Sequence, residues 1–459
     1  MNGKKMRILL VRPPRIEQAI TLSDFMFSEP LGLEMIYGAL KEEHDIEIFD
    51  MMIEGINLSK KIESFKPETV GITSLCIDVI KVIELCTEAK KADRKIITVV
   101  GGTQAYLNPE AFYHEAVDHV FQYTHLENLQ NFYNGLSVGK IQKTDGILSR
   151  IFDYETTGVK GRNQYLASDR SSTAKYREEY SYFGYRSAAI MEFGTGCKKR
   201  CDFCLRWRIE GVKEKLIDSE LTKKDLMSIK ESTIMFIDND FFASREKIEA
   251  FIQLIKELRI KKNYIMYGSV EGIMAYKEYL EELAGLGLKA ILVGYETFND
   301  AEMTQYLKNA TASDNRLAAK VLKDSGIDVW ASFMAHPDWS KKDFKKLRSY
   351  IKTLKPQISS ISPLTPFPGL PMYACYKDRL LYKAEDYEKW SFGQVMIKPS
   401  QISLRRYYYE LLKTNLYVNI CINNNTEMIK NFGGKNVFGI IKGSIKAAKK
   451  YFVLAYRGN

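Results

Sequence analysis

Short apolar runs alternate with amphipathic stretches along the first 140 residues. The runs cover 7–11, 46–49, 69–73 and 96–100, and the stretches with helical spacing cover 31–43 and 77–92. Strands that are apolar on both faces and separated by helices indicate a parallel sheet covered on both sides. The pattern predicts a doubly wound α/β domain over residues 1–140, which would bind ligands beyond the carboxyl ends of its strands.

A second series of strand and helix patterns begins at residue 188. Its strand-like runs lie at 188–193, 233–238, 264–268, 289–294, 328–334 and 358–362, with helical patterns such as 245–259 and 276–286 between them. Six such units predict a partial parallel (β/α)6 barrel over 188–384, whose chemistry lies at the carboxyl ends of the strands. The preceding stretch, 141–187, has no sustained periodicity and is predicted to be a linker. Residues 385–459 are predicted to form a mostly helical C-terminal region.

Composition places the chain among ordinary globular proteins. It has 459 residues, 45% hydrophobic and 27% charged, which excludes a disordered chain. No apolar run approaches the roughly 18 residues of a membrane-spanning helix, and the first residues lack a signal-peptide pattern. Seven cysteines are too few for a disulfide framework. We therefore expect a cytoplasmic protein.

Positive charge is concentrated at the C-terminal end. Residues 400–459 contain ten Lys or Arg and two acids, so they carry +8 of the net charge of +10. Because the rest is near neutral, no nucleic-acid partner is predicted. Four lysines flank an apolar stripe in this region: Lys442, Lys446, Lys449 and Lys450 beside Val437, Ile441, Ile445, Ala448 and Phe452. We expect the stripe to pack on the protein, and a peripheral membrane contact is the alternative.

Three of the cysteines lie on one short segment. Cys197, Cys201 and Cys204 follow a Gly-Thr-Gly turn directly after the first strand of the second series. This spacing lets one loop place three thiolates around a single metal centre. Structural zinc takes four ligands and no histidine is near, whereas a [4Fe–4S] cluster with three thiolates leaves one iron open for another ligand. The spacing favours the cluster, with zinc as the alternative.

With Phe203 before the third cysteine, this loop resembles the signature of the radical S-adenosylmethionine (SAM) superfamily. The resemblance covers about residues 185–375, and the segments 234–241, 294–297, 333–337 and 365–371 add to it. It implies that the open iron binds SAM and that reduction yields a 5′-deoxyadenosyl radical. The residues it implies for SAM binding are Phe203, Asp238, Asp240, Glu296 and Gly369.

Four of these residues also have a plainer interpretation. Asp238 and Asp240 are alternatively N-caps of the helix predicted at 245–259. Glu296 is alternatively a solvated loop acid, and Gly369 a tight turn. His336, in the segment 333–337, is either a core histidine or a proton donor.

The first domain resembles the B12-binding domain that precedes the radical SAM barrel in one large subfamily. The similar segments are 12–14, 30–33, 73–75 and 101–102, and a Rossmann-like cobalamin-binding domain is the implied fold. Glycines there let backbone approach a flat macrocycle, and a hydroxyl can hydrogen-bond its nucleotide tail. The residues implied for cobalamin binding are Pro30, Leu31, Gly32, Thr73, Leu75, Gly101 and Gly102. The alternative is a degenerate domain that binds no corrinoid.

One motif of other B12 proteins is missing. The D-x-H-x-x-G motif supplies a histidine to cobalt, but residues 50–55 contain no histidine. We therefore predict that the lower face of cobalamin lacks a histidine ligand. His125 is a weaker candidate ligand, and a position at the start of a helix is the preferred interpretation.

Together these resemblances imply a cobalamin-dependent radical SAM methyltransferase that acts on an unactivated carbon. The implied cofactors are a [4Fe–4S] cluster, SAM and cobalamin, and SAM is used both as radical source and as methyl donor. The alternatives are a radical SAM cyclase, a ring-contracting or rearrangement enzyme, or a sensor without turnover. The implied partners are a small-molecule or natural-product-like substrate and an electron donor such as flavodoxin or ferredoxin.

Overall fold

The computed structural model describes residues 4–14, 26–155, 160–182, 184–423 and 434–457. The first part of the chain is an α/β unit, as the hydrophobic pattern predicts. Its elements are β1 (Arg7–Arg12), β2 (Met26–Phe27), α1 (Leu31–Leu40), β3 (Asp45–Asp50), α2 (Leu58–Phe65), β4 (Thr69–Thr73), α3 (Val79–Ala92), β5 (Ile97–Gly101), α4 (Thr103–Leu107), β6 (His119–Phe121), α5 (Leu126–Ser137) and β7 (Ile147–Ser149).

The first sheet has the strand order β3-β1-β4-β5-β6-β7, and only β7 is antiparallel to its neighbour. Both faces are buried, because Leu9 and Val11 of β1 point into one apolar cluster and Ile8 and Leu10 into another. The order reverses between β1 and β4, and the carboxyl ends of strands at such a switch point form ligand sites. The predicted doubly wound fold is confirmed. β7 lies inside the stretch predicted as a linker.

The second part contains the barrel and the C-terminal helices. Its elements are β8 (Ser181–Tyr182), β9 (Tyr185–Arg186), β10 (Ala188–Met191), β11 (Gly194–Thr195), α6 (Arg206–Glu210), β12 (Lys215–Leu216), α7 (Ser219–Ser228), β13 (Thr233–Phe236), α8 (Arg245–Leu258), β14 (Asn263–Gly268), α9 (Val270–Ala275), α10 (Leu280–Leu286), β15 (Leu288–Glu296), α11 (Asp300–Gln305), α12 (Ala312–Asp324), β16 (Asp328–Ala335), α13 (Lys341–Leu354), β17 (Ile358–Pro363), α14 (Pro371–Tyr376), α15 (Leu404–Tyr417) and α16 (Gly434–Arg457).

The barrel consists of six parallel strands in the order β10-β13-β14-β15-β16-β17, which confirms the predicted partial barrel. Alternate strand residues such as Met235, Ile265 and Trp330 form one apolar cluster, and their neighbours pack in another cluster with the helices. Because the sheet does not close, β10 and β17 each have a free edge.

A buried ion pair covers the free edge of β10. The Ile190 N–H donates to the Glu29 carboxylate at 2.8 Å, and the Ile190 carbonyl accepts from the Arg170 guanidinium at 2.9 Å. Arg170 also pairs with Asp225 of α7. These side chains replace the backbone partners that a neighbouring strand would supply. They join the N-terminal part of the chain to the barrel.

The C-terminal helices lie against the barrel and against each other. α15 contacts α13 and β17, and the Tyr407 hydroxyl donates to the Ala335 carbonyl at 2.7 Å. α16 packs along α15. Among the described residues, no helix has the length and hydrophobicity to cross a bilayer.

The expectation that the apolar stripe of α16 packs on the protein is wrong. Ile441, Ile445 and Phe452 are 49%, 52% and 62% exposed, while Tyr451 and Ala455 are buried. The buried face includes Gly443, Tyr451 and Ala455 and packs on α15, where the Tyr451 ring lies 6.2 Å from the Tyr408 ring. The helix is therefore rotated so that Ile441, Ile445 and Phe452 face outward. The Val437 side chain lies outside the described residues.

Candidate functional site

The three cysteines lie on a tightly folded loop at the carboxyl end of β10. The Cys197 N–H donates to the Gly211 carbonyl at 2.9 Å, and the Cys204 N–H donates to the Cys201 carbonyl at 3.1 Å. Gly196 has φ +88°, and a Cβ at this position would lie 2.1 Å from the Lys213 carbonyl oxygen. Only glycine fits there, so the Gly-Thr-Gly turn sets the start of the loop.

The thiols of this loop fit a polynuclear centre. All three are free, and each has another as an electrostatic neighbour. Burial raises the pKa of each thiol, and cations such as Lys308 and Arg206 oppose that rise. Among the described residues, no three metal-binding side chains converge closely enough to hold one ion. Thiols beside Lys308 and Arg206 would suit the thiolate ligands of an iron–sulfur cluster, and the binding of a cluster by these three cysteines stays a prediction.

Asp238 holds the strand that leads into the cysteine loop. Its carboxylate accepts from the Phe193 N–H at 2.9 Å and the Gly194 N–H at 2.7 Å, and it pairs with the Lys247 ammonium at 2.6 Å. Both oxygens are thus engaged within the protein, which argues against the predicted direct contact with SAM. The alternative that Asp238 and Asp240 are N-caps of α8 is wrong, because Ser244 occupies that position.

Asp240 ties the cysteine loop to the end of β14. Its carboxylate accepts from the Ser269 N–H at 3.1 Å and hydroxyl at 2.6 Å, and it pairs with Lys199 at 3.1 Å. Burial alone would raise the pKa of Asp240, but the Lys199 ammonium and the Ser269 hydrogen bonds outweigh it and lower the pKa. A small cavity adjoins this group and is lined by Lys199, Ser269, Gly294 and Lys308.

Glu296 forms a buried ion pair at the carboxyl end of β15. It lies at an irregularity in the strand with φ +59°, and its Oε1 is 2.8 Å from Lys308 Nζ. A Cβ on Gly294 would lie 2.3 Å from that oxygen, so glycine is needed for the carboxylate to fold back. The solvated-acid alternative is wrong, because Glu296 is 6% exposed. Sequence reasoning missed Lys308, which lies in a loop without a motif.

Phe203 and Gly369 line the same mouth of the barrel. The Phe203 ring meets Tyr306 edge to face at 5.7 Å, and Lys308 Nζ lies 5.9 Å from its centroid. Gly369 has φ +84°, and its carbonyl accepts from the Arg208 guanidinium. The tight-turn alternative describes the backbone of Gly369 correctly, while its exposed surface leaves room for a ligand.

His336 is buried in a polar network at the end of β16. Its Nδ1 accepts from the Asp338 N–H at 3.1 Å, and its Nε2 lies 3.0 Å from the Tyr376 hydroxyl. Because Nδ1 accepts, the neutral ring carries its proton on Nε2 and donates to Tyr376. Burial lowers the pKa of His336, which favours this neutral form.

The carboxyl edge of the first sheet has features that a flat apolar ligand would explain. Leu75, directly after β4, is 54% exposed. No atom lies within 4 Å of the position that a Cβ would take on Gly32, at the start of α1. Gly102 has φ +96°, and a Cβ there would lie 2.7 Å from the Ser74 backbone. Gly102 is thus fixed by packing within the chain, whereas Gly32 and Leu75 border open space.

The remaining predicted cobalamin residues divide into two groups. Thr73 and Gly101 end β4 and β5 at this edge, and both are half-buried. Pro30 precedes α1 and is buried, and Leu31 is buried in the cluster that contains Trp330 of the barrel. The Leu31 side chain thus packs in the barrel interior, and a contact of Leu31 with cobalamin stays a prediction.

His125 lies at the start of α5, as the preferred interpretation expects. It is the N-cap residue, and its Nε2 lies 2.7 Å from the Arg162 carbonyl oxygen. At the end of β3, Asp50 is engaged by Arg12 and Tyr180 instead of being followed by a histidine. His125 and Asp50 are thus engaged within the chain, and the absence of a histidine ligand to cobalt stays a prediction.

Loops from both sheets meet in one place. α4, after β5, contacts α6, which directly follows the cysteine loop. An apolar cluster joins Cys76 after β4, Leu205 after the third cysteine, and Phe367 and Leu370 of the loop after β17. The carboxyl edges of the first sheet and of the barrel, where the sequence predicts the two cofactor sites, thus face each other.

Comparison with known proteins identifies both parts of the chain. The Radical SAM superfamily model matches residues 191–351, and the B12 binding domain model matches residues 19–127. The hopanoid C-3 methylase of Methylococcus capsulatus is 25% identical over 85% of this chain and 76% of that protein. The anaerobic magnesium-protoporphyrin IX monomethyl ester cyclase of Rubrivivax gelatinosus is 21% identical over 77% of this chain and 67% of that protein. The structure of OxsB with aqua-cobalamin and S-adenosylmethionine bound superposes with a TM-score of 0.67 at 13% identity, over 98% of this chain and 72% of that one, which shows the shared fold.

Proposed function

Since the chain belongs to the radical SAM enzymes that carry an N-terminal B12-binding domain, we propose that it transfers methyl groups to an unactivated carbon of a small-molecule substrate. Its cofactors are a [4Fe–4S] cluster, SAM and cobalamin. When bound, they supply a 5′-deoxyadenosyl radical and a transferable methyl group. The protein contributes position and exclusion of water.

The meeting of the two carboxyl edges is the observation that carries this proposal. The contact of α4 with α6 and the cluster around Cys76 and Leu205 bring the B12-domain loops beside the cysteine loop. A hydrogen abstraction and a methyl transfer at one carbon require both reagents within reach of the same substrate. A chain with two remote sites could not perform this chemistry.

Within the barrel, we assign cluster binding to Cys197, Cys201 and Cys204. Asp238 is a positioning residue, because it fixes the backbone amides that precede the loop. The polar groups left to meet SAM are at the cavity beside Lys199. Lys199, paired with Asp240, and Lys308, paired with Glu296, line it, and the Phe203 ring lies 5.9 Å from Lys308 Nζ.

On the B12 side, the open space at Gly32 and the exposed Leu75 favour the edge of a corrin ring. Gly101 and the hydroxyl of Thr73 lie at the same edge and are assigned to the approach of the nucleotide tail. The segment after β3 would offer no histidine to a bound cobalamin, because residues 50–55 contain none. This assignment keeps the predicted absence of histidine ligation.

Cyclisation is the second candidate, since a relative is named for that reaction. Both reactions would use the same two cofactor domains. The identities to the methylase and to the cyclase, 25% and 21%, are too similar to decide between methyl transfer and cyclisation. A reduced flavodoxin or ferredoxin is the proposed electron donor. The cytoplasmic location stays a prediction.

An isotope experiment separates the two candidates. The full chain is reconstituted anaerobically with iron, sulfide and hydroxocobalamin, reduced, and given SAM with a deuterated methyl group. Hopanoids and tetrapyrroles, the substrate classes in the relatives' names, are the first compounds to test. Methyl transfer predicts a product that carries the deuterated methyl, while a product that loses hydrogen without gaining label would identify a cyclase.

A further inference from the structure

The solvent-facing side of α16 combines large apolar side chains with lysines. Phe438, Phe452 and Tyr456 are 68%, 62% and 73% exposed, and Ile441 and Ile445 are about half exposed. These five positions fall on one side of the helix at 3.6 residues per turn. Single exposed apolar residues are ordinary, but a continuous row of this kind marks an interaction surface.

Exposed lysines border this row directly. Lys442 and Lys449 are exposed and lie within a quarter turn of Phe438 and Ile445. α16 contains no Asp or Glu. A partner for this face must therefore offer apolar contact and negative charge side by side. The interface of an anionic bilayer does so, with acyl chains beneath a layer of anionic headgroups.

A second copy of the chain fits this face poorly. A two-fold contact would set the same helix against itself and bring its lysines together with no acid on α16 to balance them. A lysine beside an apolar row can instead extend its charged end to the headgroups while its stem stays in apolar surroundings.

We propose that α16 docks the protein on the surface of an anionic membrane. The helix lies in the plane of the headgroups, with Ile441, Ile445 and Phe452 toward the acyl chains and Lys442 and Lys449 at the phosphates. Its opposite face, with Tyr451 and Ala455, remains packed on α15. The contact is peripheral, and it is independent of the chemistry proposed for the barrel.

Co-sedimentation of the full chain with vesicles tests this docking. Vesicles of phosphatidylcholine alone are compared with vesicles that also contain phosphatidylglycerol, at low and high salt. We expect binding to the anionic vesicles only, weakened by salt. Each lysine near the membrane surface strengthens binding to anionic vesicles about five-fold. K442Q/K449Q should therefore weaken that binding about 25-fold. I441S/I445S/F452S should remove it.

The matched control is K277Q/K289Q, which removes two exposed lysines from the barrel and should bind like the parent. Thermal melting checks that every variant folds. Equal binding to neutral and anionic vesicles would overturn the proposal, and so would no sedimentation of the parent chain. Self-association that I441S/I445S/F452S abolishes, without vesicle binding, would overturn it by identifying a protein interface instead.

Discussion

Buried carboxylates at the barrel mouth owe their roles to partners distant in sequence. Asp238, Asp240 and Glu296 stand out in the sequence because they follow strand-like runs. Their partners, Lys247, Ser269 and Lys308, come from other elements and carry no motif. The sequence therefore locates the acids but does not show which of them face a ligand and which hold the backbone.

Glycines of the proposed cobalamin site separate into two kinds that mutation can distinguish. Gly32→Val places a side chain in open space, so we expect a change in the free energy of unfolding within about 0.5 kcal/mol and loss of most bound cobalamin. Gly102→Ala, in contrast, is strained by the positive φ and by the Ser74 backbone. We expect it to lower the free energy of unfolding by roughly 1–3 kcal/mol.

Absorbance of cobalamin retained after desalting, together with urea denaturation, measures both effects. If Gly32→Val retains cobalamin like the parent, that glycine does not border the corrin.

Glu192, directly after β10, gives stability a distinct pH dependence. Burial raises the pKa of Glu192 to about 8, the nearby Glu210 adds to the rise, and Arg206 opposes it. Between roughly pH 5 and 8 the folded chain keeps a proton that the unfolded chain has lost. The free energy of unfolding therefore falls as pH rises through this window, by up to about 1.4 kcal/mol per pH unit from this group.

Glu192→Gln should reduce that fall without removing it, because burial also raises the pKa of Glu34 to about 8. Glu220→Gln, at an exposed helix position, should leave it unchanged. Urea denaturation of the apoprotein across the window measures the slope. Parallel curves for the parent and Glu192→Gln would show that the carboxyl does not titrate in this way.

At the scale of elements, long apolar strands were predictable and short or rotated ones were not. The six barrel strands and the strands β1, β3, β4 and β5 have continuous apolar runs that periodicity detects. β6 and β7 have three residues each, too few for a pattern. The orientation of α16 is set by its packing on α15 through a face that includes Tyr451 and Ala455, which hydrophobic periodicity does not report.

The buried ion pairs of Arg170 with Glu29 and Asp225 cover the free edge of β10. Among the elements, we expect their loss to lower the free energy of unfolding most. Arg170→Ala leaves Glu29 and Asp225 buried without their shared cation, so we expect a loss of about 3–5 kcal/mol in the free energy of unfolding. Arg186→Ala removes an arginine paired with Glu179 at the surface and should cost less than about 1 kcal/mol.

Denaturant unfolding of both variants measures the difference. Equal, small losses would mean that the edge is satisfied without Arg170, for instance by water.

At the scale of the whole molecule, the carboxyl edges of the two sheets meet, and no single sequence motif predicts this contact. Each domain could be predicted from its own patterns, because local periodicity and short motifs specify each sheet. Their mutual placement depends on buried contacts such as Glu29 and Arg170 with Ile190, between residues far apart in the chain. This placement turns two cofactor domains into one proposed reaction site.

Release of 5′-deoxyadenosine from SAM by the reduced, reconstituted chain tests the central claim most directly. The account predicts about four irons per chain, retained cobalamin and formation of 5′-deoxyadenosine. Cys204→Ala should abolish that formation, and Cys421→Ala, which removes an exposed thiol elsewhere, should not. A chain that binds one zinc without sulfide, or that releases no 5′-deoxyadenosine with any reductant while its cluster is intact, would contradict the account.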